Sequence, residues 1–487
     1  MEREAAFGLL KKYNEEEIIE KIDHTFDEGT ITKEATCQEE GLKIFVCTIC
    51  NYSKGEKLTK TGHIGVYVPS VSATCTETGT RGGYKCKWCS EKLSGFETLP
   101  ILEHYYTNGV CKNCGETTYS EGFIYDFNAN NRTYTIVSVG TCEDENIIIP
   151  AYHNGLPVTS IGERAFYDCS GLTSINIPEG VTSIENEVFY SCSSLTSVTI
   201  PASVTSIGEQ AFYHCDQLHS AELLCTKADI GESVFGRCYV LLQVKFADGF
   251  THIPIRIFEY CTQLNDVDLP DSLVGIGEYA FAYCEALESI LIPESVTTIE
   301  NCAFSNCKSL KSITLPDSVT ELGTSVFPEC SALQSVKLGN SVPYISAGLF
   351  AYCTSLTSVN IPNSVTRIDG EAFHFCTSLP TLDIPDSVQS IGVGAFGECT
   401  SLQSIVIPPS VTVIERNTFY WCAAVTEITI PVSVKTIDEL AFWSCDGLEA
   451  VYYEGDLDDW MNISIHESYA NPLHVAAKLY IHDTPVT

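Results

Sequence analysis

A phenylalanine returns at every twenty-third residue from Phe166 to Phe442, thirteen in all, and a cysteine stands three residues after each, from Cys169 to Cys445. No insertion or deletion interrupts the count. A fixed step of 23 residues describes a coil, one turn per copy, in which each turn buries its apolar side only against its neighbours. The chain is therefore expected to form a solenoid. That architecture also accommodates 487 residues, too many for a single globular core, because a solenoid extends by adding turns.

The consensus of the copies reads L-x-S-(I/V)-x-I-P-x-S-V-T-x-I-G-x-x-A-F-x-x-C, as in Gly171 to Phe189 closed by Cys192. Leu172, Ile175 and Ile177 follow the L-x-x-L-x-L strand pattern of leucine-rich repeats. Pro178 ends the strand, since proline lacks the ladder donor and fixes φ. Val181, Ile184, Val188 and Phe189 then fall three to five residues apart, which predicts a short helical or 3₁₀ return segment. Fidelity drops at Leu223-Leu224-Cys225, Ala247 and Gly339, where the exit proline is missing without loss of the spacing. These residues resemble the BspA-like leucine-rich repeats of bacterial and protist surface proteins, over about two thirds of the chain. The resemblance implies an α/β leucine-rich-repeat solenoid with a parallel concave sheet and short helical or 3₁₀ convex segments. It further implies export to a cell surface or beyond, and adhesive, non-enzymatic binding to a host protein, a neighbouring cell or an extracellular matrix component.

Charge narrows the partners. Sixty-three acidic against 27 basic residues leave a net charge of −36, which argues against nucleic acid and anionic lipid surfaces. No apolar run reaches the roughly 18 residues of a membrane span. The opening, MEREAAFGLLKKYNEEEIIEKID, lacks the apolar core and small-residue cleavage site of a signal peptide. It reads as an amphipathic helix over residues 1–22, so the expected surface location stands beside an intracellular one, or beside a chain shortened at its start.

Of the 24 cysteines all but Cys142, Cys225 and Cys302 fall into two populations. Those of the repeat column are expected to be reduced and buried, since free cysteine behaves as a small hydrophobe. Neighbouring turns about 4.8 Å apart would permit disulfides by distance alone, but an odd column cannot pair completely. The second population lies in residues 23–121, where a period near 40 relates His24, Cys37, Cys47 and Cys50 to His63, Cys75, Cys86 and Cys89. A shortened third copy holds His104, Cys111 and Cys114. Each copy carries a C-x-x-C turn, and with one further cysteine and a histidine the set matches a tetrahedral Cys₃His zinc site, the spacing leaving open whether the histidine before or after the cysteines serves. Such small modules have too little apolar sequence for a core and need a metal or cross-links. Both structural zinc and disulfides satisfy that need, and the recurrence of histidine in phase favours zinc.

Residues 122–157 contain apolar-polar alternation around Asn130-Asn131, a hairpin signal, placed where a solenoid requires an amino-terminal cap. The repeats occupy residues 158–446. Residues 447–487 carry Trp460 and the Asn471-Pro472 turn and are read as a carboxy-terminal cap.

No motif assembles a nucleophile with a base, and none of H-E-x-x-H, a P-loop or G-x-S-x-G occurs. The G-x-G-x-x-G match from Gly392 to Gly397 lies in a return segment instead of opening a helix after a strand, so it is the repeat consensus with extra glycines. What remains is surface. One outward strand column runs Asn176, Thr199, Glu222, Lys245, Asp268, Leu291, Thr314, Lys337, Asn360, Asp383, Val406, Thr429, Tyr452. It varies where the core columns do not. Near the preceding turns lie Tyr167, Tyr190, Tyr213, Tyr260, Tyr283, Tyr352, Phe375, Trp421 and Trp443. Aromatic rings beside short polar groups suit protein or glycan partners. The expectation is a non-enzymatic binding protein, with a structural spacer or surface-layer element as the alternative.

Overall fold

A computed structural model of the protein describes residues 24–36, 38–60, 62–63, 65–71, 78–87, 89–99, 106–107, 110–111, 119–466, 469–475 and 477–486. The chain divides into two compact units, Met1–Thr118 and Tyr119–Thr487. The helix expected over residues 1–22 lies outside the described residues.

In the first unit the two full modules fold alike. Thr30–Lys33, Gly41–Val46 and Ser53–Leu58 form one antiparallel sheet, and Gly65–Val68, Gly83–Cys86 and Lys92–Ser94 form another. Each C-x-x-C sequence is the turn between the last two strands of its sheet.

The second unit is the solenoid. Most turns contribute a first strand that pairs in parallel with its equivalent 23 residues on, as Ser197–Ile200 does with Ser220–Leu223, and Ser220–Leu223 with Gln243–Phe246. Inward side chains of every turn meet in one core. The phenylalanines stack from Phe166 to Phe442 with neighbouring ring centroids 4.9 to 6.0 Å apart. The first-strand ladder is less continuous than the repeats, with no strand at Ser289–Leu291 or Thr381–Asp383. At the second break Pro380 occupies the position from which Thr357 donates its N–H to Gln334, and proline has no N–H to give. Nothing in the local sequence explains the first.

The return segment departs from expectation. It is not helical: after the corner closed by Val181 N–H on the Pro178 carbonyl (3.2 Å) it forms a second two-residue strand, Ser183–Ile184, paired with Ser160–Ile161 and Ser206–Ile207. The spacing of Val181, Ile184 and Val188 reflects successive sides of a coil and not one helix face. Beyond it, alternate N–H groups point to the next turn. Arg164, Phe166 and Asp168 donate to the carbonyls of Asn186, Val188 and Tyr190 at 3.1, 2.9 and 2.8 Å, while Tyr167 and Cys169 close three-residue turns on Arg164 and Phe166. A helix would instead send every N–H back along its own chain.

This backbone requires a left-handed residue two before and two after each phenylalanine, with φ between 49° and 64° throughout. Only Gly348 and Gly394 among these positions are glycine. None is valine, isoleucine or threonine, the residues least able to adopt positive φ. At Glu371 (φ 57°), Glu371→Val should lower stability by about 1–3 kcal/mol. Glu371→Gly should match or slightly exceed the wild type, because the side-chain clash disappears while chain entropy opposes the gain. Urea titration of both variants checks this; a valine variant as stable as wild type would contradict it.

Polar consensus residues bond between turns. Ser203, Ser318, Ser364 and Ser387 donate to the carbonyls of Val181, Val296, Val342 and Val365 at 2.6 to 2.8 Å. Thr182, Thr205 and Thr366 do the same to the residue 23 positions earlier. The cysteine column has a similar use: the Cys192 thiol lies 3.2 Å from the Phe166 carbonyl, and the relation recurs to Cys445 and Phe419 at 3.1 Å.

The antiparallel pair Ile124–Asn128 and Thr133–Ser138 precedes the coil and joins it through the parallel strand Leu156–Ile161. Phe123 packs edge-on to Phe166 at 5.8 Å. At the other end the coil continues beyond the last phenylalanine: Ala450–Tyr453 pairs in parallel with Lys478–Ile481, and Thr436–Ile437 with Ser464–Ile465. The insertion between them carries the helix Leu457–Met461, whose buried Trp460 lies 5.3 Å from Tyr453, and a 3₁₀ turn, Pro472–Val475. Among the described residues no helix is long and apolar enough to cross a membrane.

Candidate functional site

The outward first-strand column is solvent-facing. Asn176, Thr199, Glu222, Lys245, Asp268, Thr314, Lys337, Asn360 and Asp383 are exposed, whereas Thr429 and Tyr452 are half-buried. Glu222, Lys245 and Asp268 stand on three adjacent strands in direct register, yet none forms an ion pair or side-chain hydrogen bond among the described residues. Leu291 is 84% exposed and Val406 62%, both beyond what a solenoid needs for packing. At the carboxy-terminal end Tyr452 stacks on Tyr480 at 5.0 Å above a shallow hollow shared with Glu427, Glu449 and Lys478. Tyr480 was not legible from the period, because the insertion after Tyr453 shifts it out of the 23-residue count.

The aromatic residues beside the turns occupy two neighbouring columns, one and two positions after the phenylalanines. Tyr167, Tyr190 and Tyr213 stack at 5.0 and 5.3 Å in the first column. Tyr260 and Tyr283 (4.2 Å) and Tyr352 and Phe375 (4.8 Å) stack in the second, which also holds the exposed Trp421. Trp443 belongs to the first and lies 5.0 Å from Tyr420. Arg237 joins the two series, its guanidinium 5.9 Å from the Tyr213 ring and 5.3 Å from that of Tyr260. Counting columns in the sequence places Arg237 with Tyr260, a signal available but unused. Burial pushes the Tyr213 phenol up, against the nearby Arg237 charge.

In the first unit the predicted ligands converge in two groups. His24, Cys47 and Cys50 offer donor atoms within 4.8 Å of one another, as do His63, Cys86 and Cys89. His24 Nδ1 lies 3.2 Å from Cys47 Sγ and 3.4 Å from Cys50 Sγ; His63 Nδ1 lies 3.6 Å from Cys89 Sγ. In both groups it is the histidine preceding the cysteines that participates, a choice the spacing left open. Asn51 and Ser90, immediately after the second cysteines, adopt φ 59° and 57°. Each donates its N–H to the first cysteine's carbonyl, at 2.9 and 3.0 Å. The tight turn aims backbone N–H groups at sulfur: that of Cys50 is the main reason the Cys47 thiol falls to about 6, with His24 and the Ile49 N–H adding to it. A thiolate-ready turn beside an imidazole is the donor set of a soft or borderline divalent metal, and each cluster can hold a metal ion. Cys37, Cys75, His104 and Cys114 lie outside the described residues, as does the side chain of Cys111.

Comparison with known proteins places the repeats in a family. The family model of the BspA type leucine rich repeat region matches residues 141–265, 251–380 and 368–464. Among solved structures, a leucine-rich repeat protein from Bacteroides ovatus superposes with a TM-score of 0.60 at 27% identity, over 74% of this chain and 98% of that one. A leucine rich cell surface protein from Faecalibacterium prausnitzii is 32% identical over 71% of this chain and 97% of its own, with a TM-score of 0.42. No curated protein matches.

Proposed function

The chain belongs to the BspA-type leucine-rich-repeat family, and from that premise we propose that it is a non-enzymatic binding protein. It presents its first-strand face and aromatic edge to a protein or glycan partner at a cell surface. One contrast supports this reading. The serines two residues after the exit proline and the threonines that follow the next valine bond to backbone between turns, whereas Glu222, Lys245, Asp268, Leu291 and Lys337 are exposed and contribute to no such bond. Side chains that vary from turn to turn without stabilising the coil are free to recognise something else. Tyrosine and tryptophan supply large contact area with a polar tip, and the stacked rings of the edge fit apolar faces of protein or sugar.

The amino-terminal modules serve stability in this reading. His24, Cys47 and Cys50, with Cys37 as the expected fourth ligand, hold one zinc ion, and His63, Cys86 and Cys89, with Cys75, a second. His63 Nε2 faces Glu91 Oε2 at 3.4 Å, the carboxylate contact that orients a metal-bound imidazole.

Capture experiments test the binding role. The full chain and a Lys245→Glu, Leu291→Glu, Lys337→Glu variant are compared on a glycan array and against extracellular protein extracts. Specific retention lost in a variant with unchanged circular dichroism supports recognition by this face. Equal capture by both chains, or none, favours the spacer reading.

A further inference from the structure

We infer that Cys142 and Cys169 are a redox-active pair that staples the amino-terminal hairpin to the first repeat. The argument begins with the column itself. From Cys192 to Cys445 its members are buried, and each thiol has a phenylalanine carbonyl as partner. Cys169, the first, is half-buried and lacks that bond among the described residues, because no repeat precedes it.

Backbone register shows what precedes it instead. Val139 donates its N–H to the Ala165 carbonyl at 2.8 Å, as Phe166 does to Val188 at 2.9 Å. Cys142 N–H then closes a turn on the Val139 carbonyl at 3.1 Å, as Cys169 does on Phe166 at 3.2 Å. Val139 thus stands in the phenylalanine position of an extra rung, and Cys142 in its cysteine position. The 27-residue step from Cys142 to Cys169 hides this from a search at a step of 23. Adjacent rungs lie about 4.8 Å apart, inside the roughly 4.4–6.8 Å Cα window of a disulfide. Both residues are free thiols, and both are half-buried. They are the one neighbouring pair at the column that a small reagent can reach, since every later neighbour is sealed. Cys302, also half-buried, sits two residues before Phe304 and outside the column.

The oxidant is a low-molecular-weight disulfide of the glutathione type. The Cys169 thiol is pushed up by burial, and further by Asp168 and Cys142, so the first attack comes from Cys142. Its thiolate displaces one thiolate from the small disulfide and forms a mixed disulfide. Cys169, losing its proton to solvent, then attacks the Cys142 sulfur and expels the second small thiol. One small disulfide is reduced to two thiols and one protein disulfide is formed. The product ties the rung carrying Cys142, beside Phe123 and the hairpin that cover Phe166, to the first full repeat. That is the end at which a solenoid frays.

The test is peptide mapping under non-reducing conditions after the full chain has been incubated with oxidised glutathione and quenched by alkylation. A peptide joining Cys142 to Cys169 is expected, with Cys192 to Cys445 alkylated only after denaturation. Cys169→Ser should trap glutathione on Cys142, and Cys142→Ser should leave Cys169 without a protein disulfide. Amide exchange in residues 122–157 should slow on oxidation of the wild type and stay unchanged in Cys169→Ser. Should Cys169→Ser fail to fold, the wild-type map together with Cys142→Ser decides. Persistent glutathione on wild-type Cys142 beside a free Cys169, or pairing of either with another cysteine, would overturn the assignment. So would two unmodified thiols after the C-x-x-C cysteines have reacted.

Discussion

Phe304→Ala should destabilise the solenoid by about 3–5 kcal/mol, the cost of deleting a fully enclosed ring where the surroundings cannot collapse. Phe304 is fully buried and stacks on Phe281 at 5.3 Å and Phe327 at 5.4 Å. The backbone at that residue has no freedom to close the gap. Its N–H is held by the Val326 carbonyl at 2.9 Å, and its carbonyl lies 3.2 Å from the Cys330 thiol. Coupling in a repeat array runs between neighbours, so the loss should appear first as faster amide exchange over the turns carrying Phe281, Phe304 and Phe327. The terminal turns should respond less. Denaturant titration together with exchange measured by mass spectrometry reads both quantities. A loss below about 1 kcal/mol, or one spread evenly over all turns, would contradict the account of a jointly packed ladder.

Removing metal should be the more selective lesion. Chelation is expected to expose residues 24–111 to protease while leaving the exchange and circular dichroism of Tyr119–Thr487 unchanged, because that core is apolar and owes nothing to the clusters. Cys47→Ser should lower bound zinc by about one ion per chain, and Cys284→Ser, within the buried column, should not change it. Acid should act in the same direction as chelator, since metal binding requires deprotonated thiolates. The sign follows from the Cys47 thiol. Its folded value of about 6 lies below the unperturbed cysteine value of about 8.5. The stabilisation it confers is therefore complete above the unperturbed value and is lost as pH falls through about 6. Metal analysis across that window measures the loss. Purified protein that carries no zinc and has its amino-terminal cysteines paired would replace this reading with a disulfide framework.

Two features of the site were readable in advance and two were not, for identifiable reasons. The approach of Cys47 to Cys50 was readable because a C-x-x-C turn brings its cysteines together by local geometry, and the repeated module signalled a histidine in the set, though not which one. Lys245 and Asp268 were placed on one exposed column because strand side chains alternate. Tyr480 was missed because an insertion changes the count without changing the sheet: the strand Lys478–Ile481 still pairs with Ala450–Tyr453. The register of Cys142 was hidden in the same way.

The sequence by itself determined the coil, its period and its inward columns, since every turn must bury the same groups against the next and so must repeat them at a constant step. It also determined where helix-forming interpretation would be tempting, at Val181, Ile184 and Val188. Only the tertiary structure decided that this segment is a short strand followed by a left-handed turn. The deciding bonds, such as Phe166 N–H to the Val188 carbonyl, join residues 22 apart and have no counterpart in local spacing. The same holds for the serines two residues after the exit proline and the threonines that follow the next valine. Their hydroxyls look available in the sequence but are taken up by the neighbouring turn.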